Sequence, residues 1–277
     1  MGVFADRADA GRRLAARLQH LRGQDLVVLG VPRGGVPVAF EVAEDLGAPL
    51  DVIVVRKLGM PFQPELAMGA ICEGGFRALD RDLLAQIHMT DEGLRSIETR
   101  ERAELDARVA RLRRGRAPHD LTGRVAVVVD DGIATGASAR VACQAARHLG
   151  AARVVLAVPV APADSLGGIA EADEIVCVST PAPFLAVGYH YQDFSPTSDD
   201  EVVSLLETAA RRTAGRGRAP DTARDCDIDV RILLGPRVLQ APPPAHVLLL
   251  RRSDAPWGQG RTLARREKSR HHPKPDE

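Results

Sequence analysis

The chain has 277 residues, 45% of them hydrophobic and 27% charged, with 37 acidic and 37 basic side chains in balance. This is the composition of one or two ordinary globular domains, and the zero net charge offers no basis for a nucleic-acid or acidic-membrane partner. Cys72, Cys143, Cys177 and Cys226 lie far apart with no Cys-x-x-Cys pair, which argues against zinc or a disulfide framework and fits a cytoplasmic protein.

The N-terminus lacks the apolar core of a signal peptide, and no run reaches membrane-spanning length. Residues 6–22 place Ala10, Leu14, Leu18 and Leu21 at helical spacing, with Asp6 or Asp9 as the cap and Gly23 as the stop. A buried strand is expected over 25–31, then Pro32-Arg33-Gly34-Gly35 as a tight turn, then a helix over 36–46. A second strand over 50–55 ends in Arg56-Lys57. Residues 58–123 make a long excursion, with Glu73-Gly74-Gly75 as a hairpin turn. Inside it, 91–114 reads as a charged helix with Leu94, Ile97, Leu105, Val109 and Leu112 on one side. Glu98/Arg102 and Glu104/Arg108 are i,i+4 pairs, expected on a solvated face or against a partner subunit.

Strands over 124–130, 153–159 and 174–178 bring the total to five, alternating with helices. That pattern predicts an α/β fold: a mostly parallel five-stranded sheet with helices on both faces. Residues 180–200 hold Phe184, Tyr189, Tyr191 and Phe194, with His190 among them. These rings suit either stacking on a flat ligand or filling core beneath a loop. A final helix over 199–213, capped by Ser198 or Asp199, turns Val202, Leu205, Leu206 and Ala209 inward. Beyond it the chain is rich in Gly, Arg and Pro, includes Pro242-Pro243-Pro244, and ends in a polar basic stretch. Short strands fit 228–234 and 246–250, but no adequate core accompanies them. No Gly-x-Ser-x-Gly elbow supports a hydrolase there. Residues 1–213 are therefore expected to form one domain and 214–277 a low-order tail.

The densest signal lies in residues 125–140, Val-Ala-Val-Val-Val-Asp-Asp-Gly-Ile-Ala-Thr-Gly-Ala-Ser-Ala-Arg. A Val-rich run buried on both faces ends in Asp130 and Asp131, then a loop of small residues leads into a helix. Small residues allow close approach to a ligand, and the helix start offers unpaired N–H groups to a phosphate, with hydroxyls from Thr135 and Ser138. The two acids would repel that phosphate at close range. They suit neutral hydroxyls or a magnesium ion nearby, and a phosphate beside a diol describes a ribose 5-phosphate.

This Asp-Asp-Gly-Ile-Ala-Thr-Gly-Ala-Ser segment after an apolar strand resembles the phosphoribosyl pyrophosphate (PRPP) signature of type I phosphoribosyltransferases. The resemblance covers roughly residues 4–213. A haloacid-dehalogenase loop also places Asp after a strand, but it needs a second Asp where this chain has Gly132. The resemblance implies that Gly132, Ile133, Ala134, Thr135, Gly136, Ala137 and Ser138 bind the 5-phosphate. It implies that Asp130 and Asp131 hold the ribose hydroxyls directly or through Mg2+, and that Arg33, Gly34, Gly35, Arg56 and Lys57 receive pyrophosphate. A cis peptide is common in the family's pyrophosphate loop, and a hood-like flexible loop between the second and third sheet strands closes over PRPP.

Lys57 carries separate weight: it is the only lysine before residue 268 in an otherwise Arg-based chain, and a flexible point charge suits a departing pyrophosphate. Asp130, Asp131, Lys57 and Arg33 are thus the expected catalytic set, Mg2+ the cofactor, and PRPP with a nitrogenous base the ligands of an expected homodimer. Ala134 stands where 6-oxopurine enzymes have an acid, which disfavours hypoxanthine-guanine as acceptor. The chain resembles most a group of bacterial phosphoribosyltransferases with no assigned acceptor. The family also includes non-catalytic PRPP or nucleotide sensors, and that is the alternative reading.

Overall fold

The structure is a computed structural model that describes residues 3–61, 63–216 and 250–251, with backbone only at 63–66, 214–216 and 250–251. Five strands form its central parallel layer: β1 (Leu26–Gly30), β2 (Leu50–Val52), β6 (Val125–Val129), β7 (Arg153–Val160) and β8 (Glu174–Ser179), in the order β2-β1-β6-β7-β8. A two-residue strand, β9 (Leu250–Arg251), pairs antiparallel to β8. Of the expected tail strands only Leu250 falls within the described residues; 228–234 lies outside them.

The Val-rich strands are buried except at their ends because both faces are covered. Successive residues alternate between two cores. Val28, Val127 and Val129 face one core, shared with α1 (Arg7–Arg17), α2 (Gly35–Leu46) and α7 (Asp199–Arg216). Val27, Leu29, Ala126 and Val128 face the other, built on Ala139, Ala142, Cys143 and Ala146 of α5 (Ala137–His148) and Leu166 of α6 (Ala163–Gly167). Asp6 caps α1, accepting from Asp9 N at 2.7 Å. Ser198 caps α7, accepting from Glu201 N at 3.1 Å.

The excursion after β2 differs from expectation. β2 stops at Val52, and Arg56-Lys57 belong to β3 (Val55–Met60), the first strand of a second sheet. That sheet is antiparallel, β3-β4-β5, with β4 at Gln63–Cys72 and β5 at Arg77–Leu79 around the turn at Glu73–Gly75. The reason is positional: β1 ends at Gly30, so the chain beyond Ile53 has no parallel neighbour and pairs with β4 instead. Two helices follow, α3 (Arg81–Gln86) and α4 (Asp91–Arg113).

The charged face of α4 is largely exposed, with Arg95, Arg100, Glu104, Asp106 and Arg111 in solvent, but its charges do not pair as their spacing suggests. Glu98 binds Arg77, Glu101 and Glu104 bind Arg56, and Arg102 donates to the Cys72 carbonyl at 2.8 Å. Partners on the small sheet displace the i,i+4 pairs, while Leu94, Leu105 and Leu112 are buried beneath. At the end of α4, buried Arg113 bridges Asp51 of β2, Glu73 at 2.9 Å and the Val52 carbonyl at 3.1 Å. This ties the excursion to the edge of the main sheet.

Removing the guanidinium would leave half-buried Glu73 without its ion pair and buried Asp51 with only the Val52 and His119 N–H donors. Arg113→Ala is expected to lower unfolding free energy by about 3–5 kcal/mol, measured by urea denaturation; a loss under 1 kcal/mol would show that the bridge is dispensable.

Candidate functional site

β1 and β6 are neighbours in register, Gly30 opposite Val129, and Val31 N donates to the Val129 carbonyl at 2.9 Å. The segments leaving their carboxyl ends therefore emerge side by side, as ligand-binding loops do in open parallel sheets. One is Pro32-Arg33-Gly34-Gly35, with a cis peptide between Pro32 and Arg33. The other is Asp130-Asp131. Their approach is so close that only glycine fits: a Cβ on Gly34 would lie 2.0 Å from Asp131 Oδ2, and one on Gly35 would lie 2.6 Å from the Val129 carbonyl oxygen and 2.9 Å from Asp130 Cα.

The two acids are held differently. Arg7 of α1 donates through Nε to Asp131 Oδ2 at 2.9 Å and through Nη1 to the Ser195 carbonyl at 2.7 Å, with its guanidinium 4.0 Å from the Phe194 ring centre. Tyr191 donates its hydroxyl to the Asp131 carbonyl at 2.6 Å. Asp130 Oδ1 accepts from Asp131 N at 2.9 Å, and no salt bridge among the described residues neutralises it. Burial, and then the charge of Asp131, push the Asp130 carboxyl well above the ordinary range. Burial raises Asp131 too, against the pull of Arg7. Such a pair favours ligands that donate hydrogen bonds or bring positive charge.

Among the described residues no group of three or more His, Cys, Asp or Glu could hold a metal unaided. Two adjacent carboxylates nonetheless fit magnesium, which takes one or two from a protein and fills its shell with water and ligand phosphates.

The loop after the acids is fixed at its apolar points. Ile133 is buried and its N–H donates to the Val160 carbonyl at 2.9 Å; Gly132 packs under Val187. Gly136, in the left-handed region at φ 78°, turns the chain into α5. Ala134 and Thr135 are exposed and Ala137 and Ser138 half-buried at the helix start, where backbone N–H groups lack intrahelical partners. A cleft of about 880 Å3 is lined by Ser138, Val31, Pro32, Arg56 and Lys57, with Arg100, Glu101 and Arg108 of α4 as its far wall. Ser138 of the 130–138 loop, Pro32 of the 32–35 turn and β3 thus share one opening, while Asp130, Asp131, Gly34 and Gly35 pack beside it without lining it.

Within it the two basic residues of β3 differ. Lys57 is exposed and makes no ion pair among the described residues. Arg56, expected to meet pyrophosphate, instead gives its guanidinium to Glu101 at 2.6 Å and to Glu104, so its charge is already neutralised. Arg33 is exposed and lines a neighbouring pocket.

Sequence reasoning missed Arg7, whose only local signal was its place at a helix start. The aromatic segment divides: Tyr191 is buried against Phe4, with ring centres 5.4 Å apart, and serves the acid pair. His190 stacks on Phe184, while Tyr189 remains 70% exposed.

Comparison with known proteins agrees with this geometry. Residues 5–193 match the model of the "Phosphoribosyl transferase domain". The chain is 55% identical over 240 residues to two Mycobacterium tuberculosis proteins, "Putative phosphoribosyl transferase Rv0571c" of strain H37Rv and its counterpart MT0597 of strain CDC 1551. The match takes in 85% of this chain and 54% of each of theirs, so the chain spans about half the length of these curated relatives. The crystal structure of TT1426 from Thermus thermophilus is 44% identical and covers 74% of this chain and 98% of that one, with a TM-score of 0.66. Glycine-packed loops at adjacent strand ends, an acid pair and a matching family model over most of the folded part lead to one assignment: the chain belongs to the phosphoribosyl transferase domain family.

Proposed function

We propose that the protein transfers the ribose 5-phosphate group of PRPP to a nitrogen of a base, in a Mg2+-dependent reaction that releases pyrophosphate. The observation that carries this reading is the contact of Gly34 and Gly35 with Asp131 and Asp130. It packs the 32–35 turn against the acid pair, and Pro32 of that turn and Ser138 at the start of α5 line one cleft.

In this reaction the bond from the anomeric carbon to the diphosphate breaks ahead of attack by the base, and positive charge develops on the sugar. Backbone N–H groups of 135–138 and the hydroxyls of Thr135 and Ser138 anchor the 5-phosphate, fixing the sugar for in-line attack. Asp130 and Asp131 accept from the ribose hydroxyls, and their charge favours the cationic transition state. Arg7 keeps Asp131 turned toward the ligand. Lys57 and the N–H groups of the 33–35 turn take the charge of the leaving group. Mg2+, held through Asp130 and Asp131, would neutralise further charge on the diphosphate. A PRPP sensor would use the same binding groups, and turnover distinguishes it.

Incubation with PRPP, Mg2+ and a panel of purine and pyrimidine bases is expected to release pyrophosphate with at least one base; binding of PRPP with no base-dependent release would assign the protein as a sensor. Lys57→Gln is expected to lower kcat about 100-fold, by loss of one electrostatic stabiliser of the transition state, with unchanged melting temperature. Asp130→Asn separates binding from stability. A carboxyl whose folded-state pKa lies above its unfolded value opposes folding once the unfolded chain has ionised, so ligand-free stability falls as pH rises from about 4. At pH 7 the Asn variant is therefore expected to melt higher, by about 2–4 °C for a gain of about 1 kcal/mol, while losing activity; a lower melting temperature would contradict the raised carboxyl.

A further inference from the structure

The loop between the acid pair and α5 takes its fastenings from the next strand and the helix after it. β7 runs past the end of β6: its last pairing with β6 sets Ala157 opposite Val129, yet the strand continues to Val160. That overshoot lets the Val160 carbonyl accept from Ile133 N, and it carries the chain on to α6 beside the loop. α6 is short, but Leu166 and, just beyond it, Ile169 are buried, which fixes its orientation. Half-buried Ser165 lies on α6 and donates its hydroxyl to the Ala134 carbonyl at 2.7 Å. Two further contacts hold the same segments together. A Cβ on Gly136 would lie 3.2 Å from Ile169 Cδ1, and Arg140 of α5 donates to the Gly168 carbonyl at 2.6 Å.

The bond from Ser165 acts on more than a carbonyl. The peptide joining Ala134 to Thr135 is trans, and in a planar trans peptide the C=O and N–H of one unit point in opposite directions. A hydroxyl that draws the Ala134 carbonyl toward α6 therefore turns the Thr135 N–H away from it. Ala134 and Thr135 are exposed, and among the described residues the Thr135 N–H has no hydrogen-bond acceptor. Ser165 is also the sole partner of the Ala134 carbonyl among those residues. One side-chain hydrogen bond thus decides which way an unpaired backbone donor faces. Small, exposed neighbours offer little steric resistance to rotation of that unit, so the donor's direction rests on the hydroxyl.

We propose that Ser165 is a positioning residue for sugar-phosphate binding: it touches no ligand, and it holds the 134–135 peptide with the Thr135 N–H presented to the phosphate. The proposal rests on the reading of the 130–138 loop as a sugar-phosphate site and adds a residue from outside that loop. It gives α6 a role beyond packing. A donor already aimed before the ligand arrives spares the ordering cost that a freely rotating peptide would carry. Ser165 makes no contact with the 32–35 turn among the described residues, so its effect is confined to the phosphate end of the site.

The test is calorimetric titration of the full chain with ribose 5-phosphate and, separately, with inorganic pyrophosphate, both in the presence of Mg2+. Ser165→Ala is expected to weaken ribose 5-phosphate about fivefold, the worth of one neutral hydrogen bond, and to leave pyrophosphate within about twofold. Ser165→Thr keeps the hydroxyl and is expected to bind ribose 5-phosphate within about twofold of the wild type. Melting curves that match the wild type check that both variants are folded. Unchanged ribose 5-phosphate affinity in Ser165→Ala, an equal loss for both ligands, or a loss that Ser165→Thr fails to restore would each overturn the positioning role and leave the transferase reading standing. A wild-type chain that does not bind ribose 5-phosphate would remove the sugar-phosphate reading, and the role of Ser165 with it.

Discussion

Everything at the site follows from two parallel strands being neighbours. With Gly30 and Val129 in register, β1 and β6 discharge their loops at the same edge, and the missing side chains of Gly34 and Gly35 let those loops touch. Hydrogen bonding between the strands therefore sets the distance between an acid pair and a glycine turn that lie far apart in sequence. A rigid, doubly covered sheet holds that distance well, because both of its cores would have to yield before the strands could slide.

The second sheet and α4 add a wall to this edge, and they do so with arginine. Arg56, Arg77, Arg102 and Arg113 each reach across from one element to another, three of them to carboxylates and Arg102 to a carbonyl. A planar guanidinium with several donors suits such bridging better than an ammonium. The chain's near-absence of lysine before its last residues is in keeping with that use, and it makes exposed, unpaired Lys57 the exception. The same bridges leave charge unevenly spread. Where carboxylates run out, around Arg33 and Arg108, the wall stays positive.

Much of this was legible in the sequence, for local reasons. Runs such as Val125–Val129 are too apolar to be anything but buried strands, and the acids and small residues that follow are consecutive. The rest depends on distant partners. Arg7 meets Asp131 across 124 residues, and Tyr191 meets it across 60. Neither position differs locally from an ordinary helical arginine or a core tyrosine. The small sheet leaves little local signal, because antiparallel pairing of β3 with β4 is decided by where β1 stops. The i,i+4 pairs of α4 give way because helical spacing reveals which charges could meet within a helix, never which better partner waits on the next element.

The fastening of the acid pair has one further consequence. Phe4 N donates to the His190 carbonyl and Gln192 N to the Phe4 carbonyl, both at 2.9 Å, and Arg7 reaches the Ser195 carbonyl. The first turn of the fold and the segment following its last parallel strand are thus clasped together directly over Asp131. During synthesis on the ribosome, the sheet can begin to form while Arg7 still lacks the carbonyl and the ring that orient it. Only when residues 190–195 have left the exit tunnel can the clasp close, so the acid pair gains its fastening after all five parallel strands have emerged, with α7 still to follow and cover the core.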